Sequence, residues 1–317
     1  MFFIKLNMKK YEDNTMKLFS FKKNKPLNKT VLNCGDINIR DPFVVCEDGK
    51  YYLYGTRAKN FGKKTAGFDV YVSDDLVNWS QPHECFNSEK YNMNYQVNWA
   101  PEVHKYKGRY YMFATFTRKS NKLRGTFVLS SDSPMGPFAP HSDSVVTPEE
   151  WECLDGTLYV DKQGKPYIVF CHEHTQIIDG TICYAPLSDD LKTMAGEAVT
   201  LFKASEPYWA DKSKFPLEHR ITDGPYMYRT KDDELLMLWS TYIKGQYAQC
   251  LVRFGGGEIG TDFEHLPPLV DNDGGHGMLF KNLDGDLTLT YHTPNTKGSE
   301  HPYFVSVKDT GNSIEIV

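Results

Sequence analysis

One hairpin pattern recurs five times along the 317-residue chain, and few folds can accommodate it. Its first copy runs Ile37-Asn38-Ile39-Arg40-Asp41-Pro42-Phe43-Val44-Val45-Cys46, then Glu47-Asp48-Gly49-Lys50, then Tyr51-Tyr52-Leu53-Tyr54-Gly55-Thr56. An Asp-Gly pair between two apolar, Tyr-rich runs predicts a tight β-hairpin, because such turns need residues that tolerate positive φ. Further copies turn at Gly108, Gly164, Asp233 and Gly285, so successive turns lie 52 to 69 residues apart. A period near fifty built from hairpins predicts a radial array of small sheets, and five units predict an all-β, five-bladed β-propeller. A second element recurs in phase with the first, as Ser73-Asp74-Asp75-Leu76, Ser131-Asp132-Ser133 and Ser188-Asp189-Asp190-Leu191. The blades are expected over about residues 36–90, 95–147, 150–205, 218–268 and 270–317. Residues 31–317 thus form one domain, with residues 1–30 as an arm or a segment that helps close the ring.

Each copy opens on a polar side chain: Asp41, Glu102, Asp155, Asp223 and His276, which stand 8, 6, 9, 10 and 9 residues before their turns. If all five hold the same place on the innermost strand of a blade, they converge on one mouth of the central channel. Four carboxyl groups and an imidazole gathered there cost too much in desolvation to be mere structure. Two carboxyls across a sugar-sized gap can hydrolyse a glycosidic bond, one ionised to activate water and one protonated to release the leaving oxygen. A third acidic residue nearby raises the pKa of the acid.

Arg40-Asp41-Pro42-Phe43, Trp99-Ala100-Pro101-Glu102-Val103-His104, Asp155-Gly156-Thr157-Leu158-Tyr159-Val160-Asp161, Thr222-Asp223-Gly224-Pro225 and Gly275-His276-Gly277 appear in order, one per repeat. Together they resemble glycoside hydrolase family 43, five-bladed propellers that invert anomeric configuration, mostly on arabinofuranosides and xylosides. The resemblance implies an exo-acting hydrolase of terminal arabinofuranosyl or xylosyl residues of plant polysaccharide fragments. It implies Asp41 as general base, Asp155 as modulator of the acid, and His276 beside a structural Ca2+ or water in the channel. The family's general acid is a Glu before Gly-Pro, where this chain has Asp223. Asp is one methylene shorter, and misplacement on the order of 1 Å can cost ~10²-fold in rate. Asp223 therefore competes for the role with Glu102, Glu152, Glu206 and Glu218. An exo-glycosidase for another sugar, such as galactose, and a carbohydrate-binding propeller without catalysis remain alternatives.

Around the trio, Arg40 neutralises the acidic mouth or binds a hydroxyl, Trp99 is an anchor or a sugar platform, and Glu102 orients a neighbour or contacts sugar. His172 and His174 share a strand face without a third ligand at zinc spacing, so His172 is expected to reach substrate and not metal. His292 and Asn295 are candidates for the rim, and Trp239 for packing between blades. A net charge of −5 and a pI near 6.1 give no basic footprint for nucleic acid. Mean hydropathy is −0.51, and no apolar run approaches the roughly 18 residues of a membrane span. The seven cysteines are odd in number and lack metal or redox spacing, which suits reduced core thiols. Met1-Phe2-Phe3-Ile4 is followed at once by Lys5, too short an apolar run for a signal peptide, so a cytoplasmic location is expected.

Overall fold

The computed structural model describes residues 31–61, 66–93, 97–210 and 219–317. The proposed arm over residues 1–30 lies outside them. Twenty strands form five four-stranded antiparallel sheets, each built from four strands consecutive in sequence. Blade 1 contains β1 (Ile39–Glu47), β2 (Lys50–Arg57), β3 (Gly67–Ser73) and β4 (His83–Asn87). Blade 2 contains β5 (Asn98–Tyr106), β6 (Arg109–Thr117), β7 (Arg124–Ser131) and β8 (Ala139–Pro140). Blade 3 contains β9 (Cys153–Val160), β10 (Pro166–His172), β11 (Thr181–Pro186) and β12 (Val199–Lys203). Blade 4 contains β13 (Asp223–Arg229), β14 (Leu235–Ile243), β15 (Gln246–Phe254) and β16 (Phe263–Val270). Blade 5 contains β17 (Gly275–Lys281), β18 (Leu287–Thr293), β19 (His301–Asp309) and β20 (Ile314–Ile316). The first strand of each blade is innermost, and β1 packs on both β5 and β17 to close the ring.

The core is distributed over the seams between blades. Five apolar clusters fill the five seams, one for each pair of neighbours. Both faces of every sheet are therefore covered, which explains why the second strands read as unbroken apolar runs. β14 shows the parity: Leu235, Met237 and Trp239 face blade 3, whereas Leu236 and Leu238 face blade 5. Burying a side chain of this size contributes about 1.5–3 kcal/mol. Trp239 sits in a seam as expected. The seven cysteines are free thiols, five of them fully buried. No helix among the described residues is long and apolar enough to cross a membrane.

Every innermost strand carries a β-bulge at the same place. Two of its residues stand opposite one residue of the second strand, at 41/42, 100/101, 155/156, 224/225 and 276/277. The first residue of each doublet is left-handed: Asp41 (φ 54), Ala100 (φ 45), Asp155 (φ 54), Gly224 (φ 50) and His276 (φ 51). The second is Pro42, Pro101, Gly156, Pro225 or Gly277. A left-handed non-glycine residue costs on the order of 1–3 kcal/mol and persists only where its surroundings enforce it. The equivalence predicted from sequence is corrected in two blades. Glu102 lies one residue past the bulge of blade 2, where Ala100 holds the equivalent place. Asp223 lies one residue before the bulge of blade 4, where Gly224 holds it. Position 224 admits only glycine, since a Cβ there would lie 2.5 Å from the His276 ring.

Candidate active site

The strained bulges are enforced by a ring of hydrogen bonds that crosses every seam. Thr56 on β2, Thr115 on β6, Ser240 on β14 and His292 on β18 occupy matching positions, each paired with the residue before its own blade's bulge. Each accepts the backbone N–H of a bulge residue in the next blade. Ala100 donates to Thr56 Oγ1 (2.7 Å), Asp155 to Thr115 Oγ1 (2.9 Å), His276 to Ser240 Oγ (2.7 Å) and Asp41 to His292 Nδ1 (3.2 Å). In blade 3 the matching position is Cys171. A thiol is a weak acceptor, and the Gly224 N–H turns instead to Asp155 Oδ2 (3.2 Å). One carboxylate of the site is thereby tied to the backbone of the neighbouring blade.

These bulges bring Asp41, Asp155, Asp223 and His276 to one cavity of about 370 Å³. His276 Nδ1 lies 3.2 Å from Asp41 Oδ1 and 3.8 Å from Asp155 Oδ2. Burial would lower the imidazole pKa, but Asp41, Asp155 and Asp223 outweigh it and raise it. Burial would likewise raise Asp41, yet His276, Arg40 and the Thr56 hydroxyl (2.6 Å) hold it below the usual carboxylate range. Asp155 is pushed well up, by burial first and then by the neighbouring charges of Asp223 and Asp41. Asp223 is also raised, chiefly by burial, against the opposing effects of His276 and of Tyr247, whose hydroxyl donates to it (2.8 Å). The mouth thus separates one ionised carboxylate from others that favour their proton, the asymmetry acid–base hydrolysis requires.

Two stacked aromatic rings between two guanidinium groups line one side of the cavity. The Arg40 guanidinium lies 4.4 Å from the centroid of Phe61. Phe61 stacks on Trp99 at 4.8 Å, and Arg124 lies over Trp99 at 5.4 Å. Arg40 also binds Glu300 (3.0 Å) and Asn295 Oδ1 (2.8 Å). Arg124 pairs with Glu152 and with Glu173 (3.0 Å). Trp99 is therefore part of the cavity wall, and Arg40 both borders the cavity and neutralises buried carboxylates.

Of the residues predicted from sequence, Arg40, Asp41, Trp99, Asp155, Asp223, His276 and Asn295 line the cavity, while Glu102, His172 and His292 do not. Glu102 follows the bulge and meets His104 Nε2 at 3.2 Å. His172 is stacked on Trp151 at 4.3 Å and bonded to Gln176. His292 is fully buried, where it accepts the backbone N–H of Asp41. Glu152 is taken up by Arg124, and the exposed Glu206 accepts the Lys203 N–H; Glu218 lies outside the described residues. Sequence reasoning missed Phe61, Arg124, Tyr242 and above all Glu173, which borders the cavity at the end of β10. Glu173 caps the short helix that follows β10, its side chain accepting the His174 N–H, and His174 borders the cavity beside it.

The sequence profile of Glycosyl hydrolases family 43 matches residues 36–306, from the first blade into the third strand of the fifth. The chain belongs to this family. An endo-arabinase of Bacteroides thetaiotaomicron is 39% identical, with a TM-score of 0.78 over 87% of this chain and 96% of that one. A thermostable family-43 glycoside hydrolase is 22% identical, with a TM-score of 0.77 over 89% of this chain and 94% of its own, a likeness of fold. The extracellular endo-alpha-(1->5)-L-arabinanase 1 of Bacillus subtilis (strain 168) is 24% identical over 141 residues. That match spans 42% of each chain, well under two thirds of the relative.

The calcium expected beside His276 in this family-43 protein can be tested against its donors. Calcium prefers roughly six to eight oxygen ligands. No cluster of three or more His, Cys, Asp or Glu side chains among the described residues could hold a metal ion. The His276 imidazole faces two carboxyl groups, which raise its pKa. This donor set does not fit a calcium ion held directly by side chains, and no step below is routed through one.

Proposed function

We propose that this family-43 hydrolase cleaves α-L-arabinofuranosidic linkages, from the chain end, with inversion of configuration. The observation that carries the reading is the asymmetry of the cavity: Asp41 is shifted toward its ionised form, while the carboxyls of blades 3 and 4, across the ring, are shifted toward their protonated forms. Asp41 takes a proton from water as the water oxygen bonds the anomeric carbon. The glycosidic bond breaks as the far wall, where Asp155, Asp223 and Glu173 stand, supplies a proton to the leaving oxygen. Arabinose as the sugar rests on the 39% identity to an endo-arabinase. Cleavage from the end rests on the cavity, whose volume of about 370 Å³ lies near the lower limit for ligand sites.

The test is release of 4-nitrophenol from α-L-arabinofuranoside, β-D-xyloside and β-D-galactoside, with debranched α-1,5-arabinan as polymer. The arabinofuranoside is expected to react, arabinan is expected to yield arabinose as the first product, and NMR is expected to show that sugar released as the β-anomer. Release of the α-anomer refutes inversion, and a ladder of oligosaccharides refutes action at the end. Silence on all substrates, with arabinan binding seen by calorimetry, makes the protein a carbohydrate-binding propeller.

A further inference from the structure

We infer that Glu173, just past the second strand of blade 3, is the general acid that protonates the leaving oxygen, an assignment that rests on the hydrolase reading above. Position carries the argument. Among the described residues lining the cavity Glu173 is the one glutamate, and its backbone follows β10, outside the innermost ring that holds Asp41, Asp155 and Asp223. The other carboxyls are committed to the floor of the site. Asp155 faces the His276 imidazole and accepts the Gly224 N–H, and Asp223 accepts from the Tyr247 hydroxyl. Glu173 carries one methylene more than either, on a wall across the ring from the base. An inverting pair must stand apart, with water and the sugar between its members.

The groups around Glu173 suit a proton donor. Arg124 from β7 lies 3.0 Å from Oε2, and the His174 N–H (3.0 Å) and His174 Nε2 (3.0 Å) approach Oε1. Glu152 and Asp223 add negative charge from the segment before β9 and from β13. Burial is the largest influence and, with those two carboxylates, pushes the Glu173 carboxyl up to about 7 against the opposing pull of Arg124. A donor near neutrality loses its proton easily once the leaving oxygen bears charge. In the step the C1–O bond breaks and its electron pair stays on the leaving oxygen, which takes the Glu173 proton. The water oxygen forms the new bond to C1, and its proton passes to Asp41. Arg124 and His174 then hold the Glu173 carboxylate until solvent restores both protonation states.

The experiment compares kcat/KM of wild type, Glu173→Gln, Asp223→Asn and Asp41→Asn on 2,4-dinitrophenyl α-L-arabinofuranoside, whose leaving group needs no proton, and on debranched arabinan. Glu173→Gln is expected to lose about 10²–10⁴-fold on arabinan and less than about tenfold on the aryl glycoside, with loss of the alkaline limb of the pH profile. Glu173→Asp is expected to restore part of the activity on arabinan and the alkaline limb, which a packing role for the side chain does not predict. Asp41→Asn is expected to fail on both substrates. Circular dichroism melts confirm that each variant is folded; an unfolded Glu173→Gln leaves Glu173→Asp to decide by its alkaline limb. The assignment is overturned if Asp223→Asn shows the leaving-group pattern in place of Glu173→Gln, or if Glu173→Gln loses equally on both. A wild type silent on both substrates overturns the hydrolase reading itself.

Discussion

Replacing His292 with Phe tests whether the ring of hydrogen bonds holds the base in place. His292 Nδ1 accepts the Asp41 N–H at 3.2 Å, and its ring stacks on Tyr247 with centroids 5.4 Å apart. Burial and the nearby Arg40 push its pKa down to about 3, so it is neutral across the physiological range, with Nε2–H donating to Asn295. Phe keeps a ring of similar size and removes the acceptor. Asn295 Oδ1 remains satisfied, because it also accepts from Arg40 (2.8 Å). The orphan is the Asp41 N–H in a buried site, at a cost of about 1–3 kcal/mol. Taking about 2 kcal/mol, and ~2–4 °C per kcal/mol for a domain of this size, Tm falls by roughly 4–8 °C. Asp41 stands at φ 54, and release of its clamp lets the backbone relax toward extended values. A carboxylate moved on the order of 1 Å lowers kcat ~10²-fold. The assay pairs calorimetric melting with steady-state kinetics on 4-nitrophenyl α-L-arabinofuranoside. A His292→Phe protein with unchanged Tm and kcat within about twofold of wild type refutes the reasoning.

Three further outcomes follow from the same geometry. Asp41→Asn removes the one carboxylate held ionised and should lower kcat about 10²–10⁴-fold on every cleaved substrate, whatever the leaving group, as initial rates will show. Asp155→Asn should raise Tm while lowering kcat: the folded-state pKa of Asp155 is raised, so the carboxyl contributes stability only below its unfolded value and costs stability at neutral pH. An equal or lower Tm for Asp155→Asn at pH 7 contradicts this sign. His276 is raised too, but as a base that gains partners; its stabilisation is full below about pH 6.5 and is lost as pH rises through the folded value. The Tm difference between wild type and His276→Gln, followed from acidic to alkaline pH, should therefore shrink.

The fold was legible because each blade repeats one hairpin, and period-two burial on both faces leaves no ambiguity about which segments pair. The site was legible where chemistry and register coincide, at Asp41, Asp155 and His276. It was blurred where they part. Ala100 and Gly224 carry no functional group, so attention fell on their neighbours Glu102 and Asp223. Yet the spacing held the answer, since the bulge residues precede their turns by 8 or 9 residues, whereas Glu102 and Asp223 precede theirs by 6 and 10. Glu173 was hidden between two histidines that drew attention to themselves, and the turn into the short helix after β10 brings it to the cavity together with His174. The clamps Thr56, Thr115, Ser240 and His292 could not be read at all, because they act across seams on residues distant in sequence, and only closure of the ring brings them together.

That closure sets an order in time. Asp41 belongs to the first blade a ribosome completes, and its clamp, His292, belongs to the last. Throughout synthesis Asp41 waits in a partial ring, next to a seam whose other side does not yet exist. Its clamp therefore arrives at one moment, when the fifth blade docks on the first, and no nascent fragment ending before β18 holds the Asp41 backbone by this hydrogen bond.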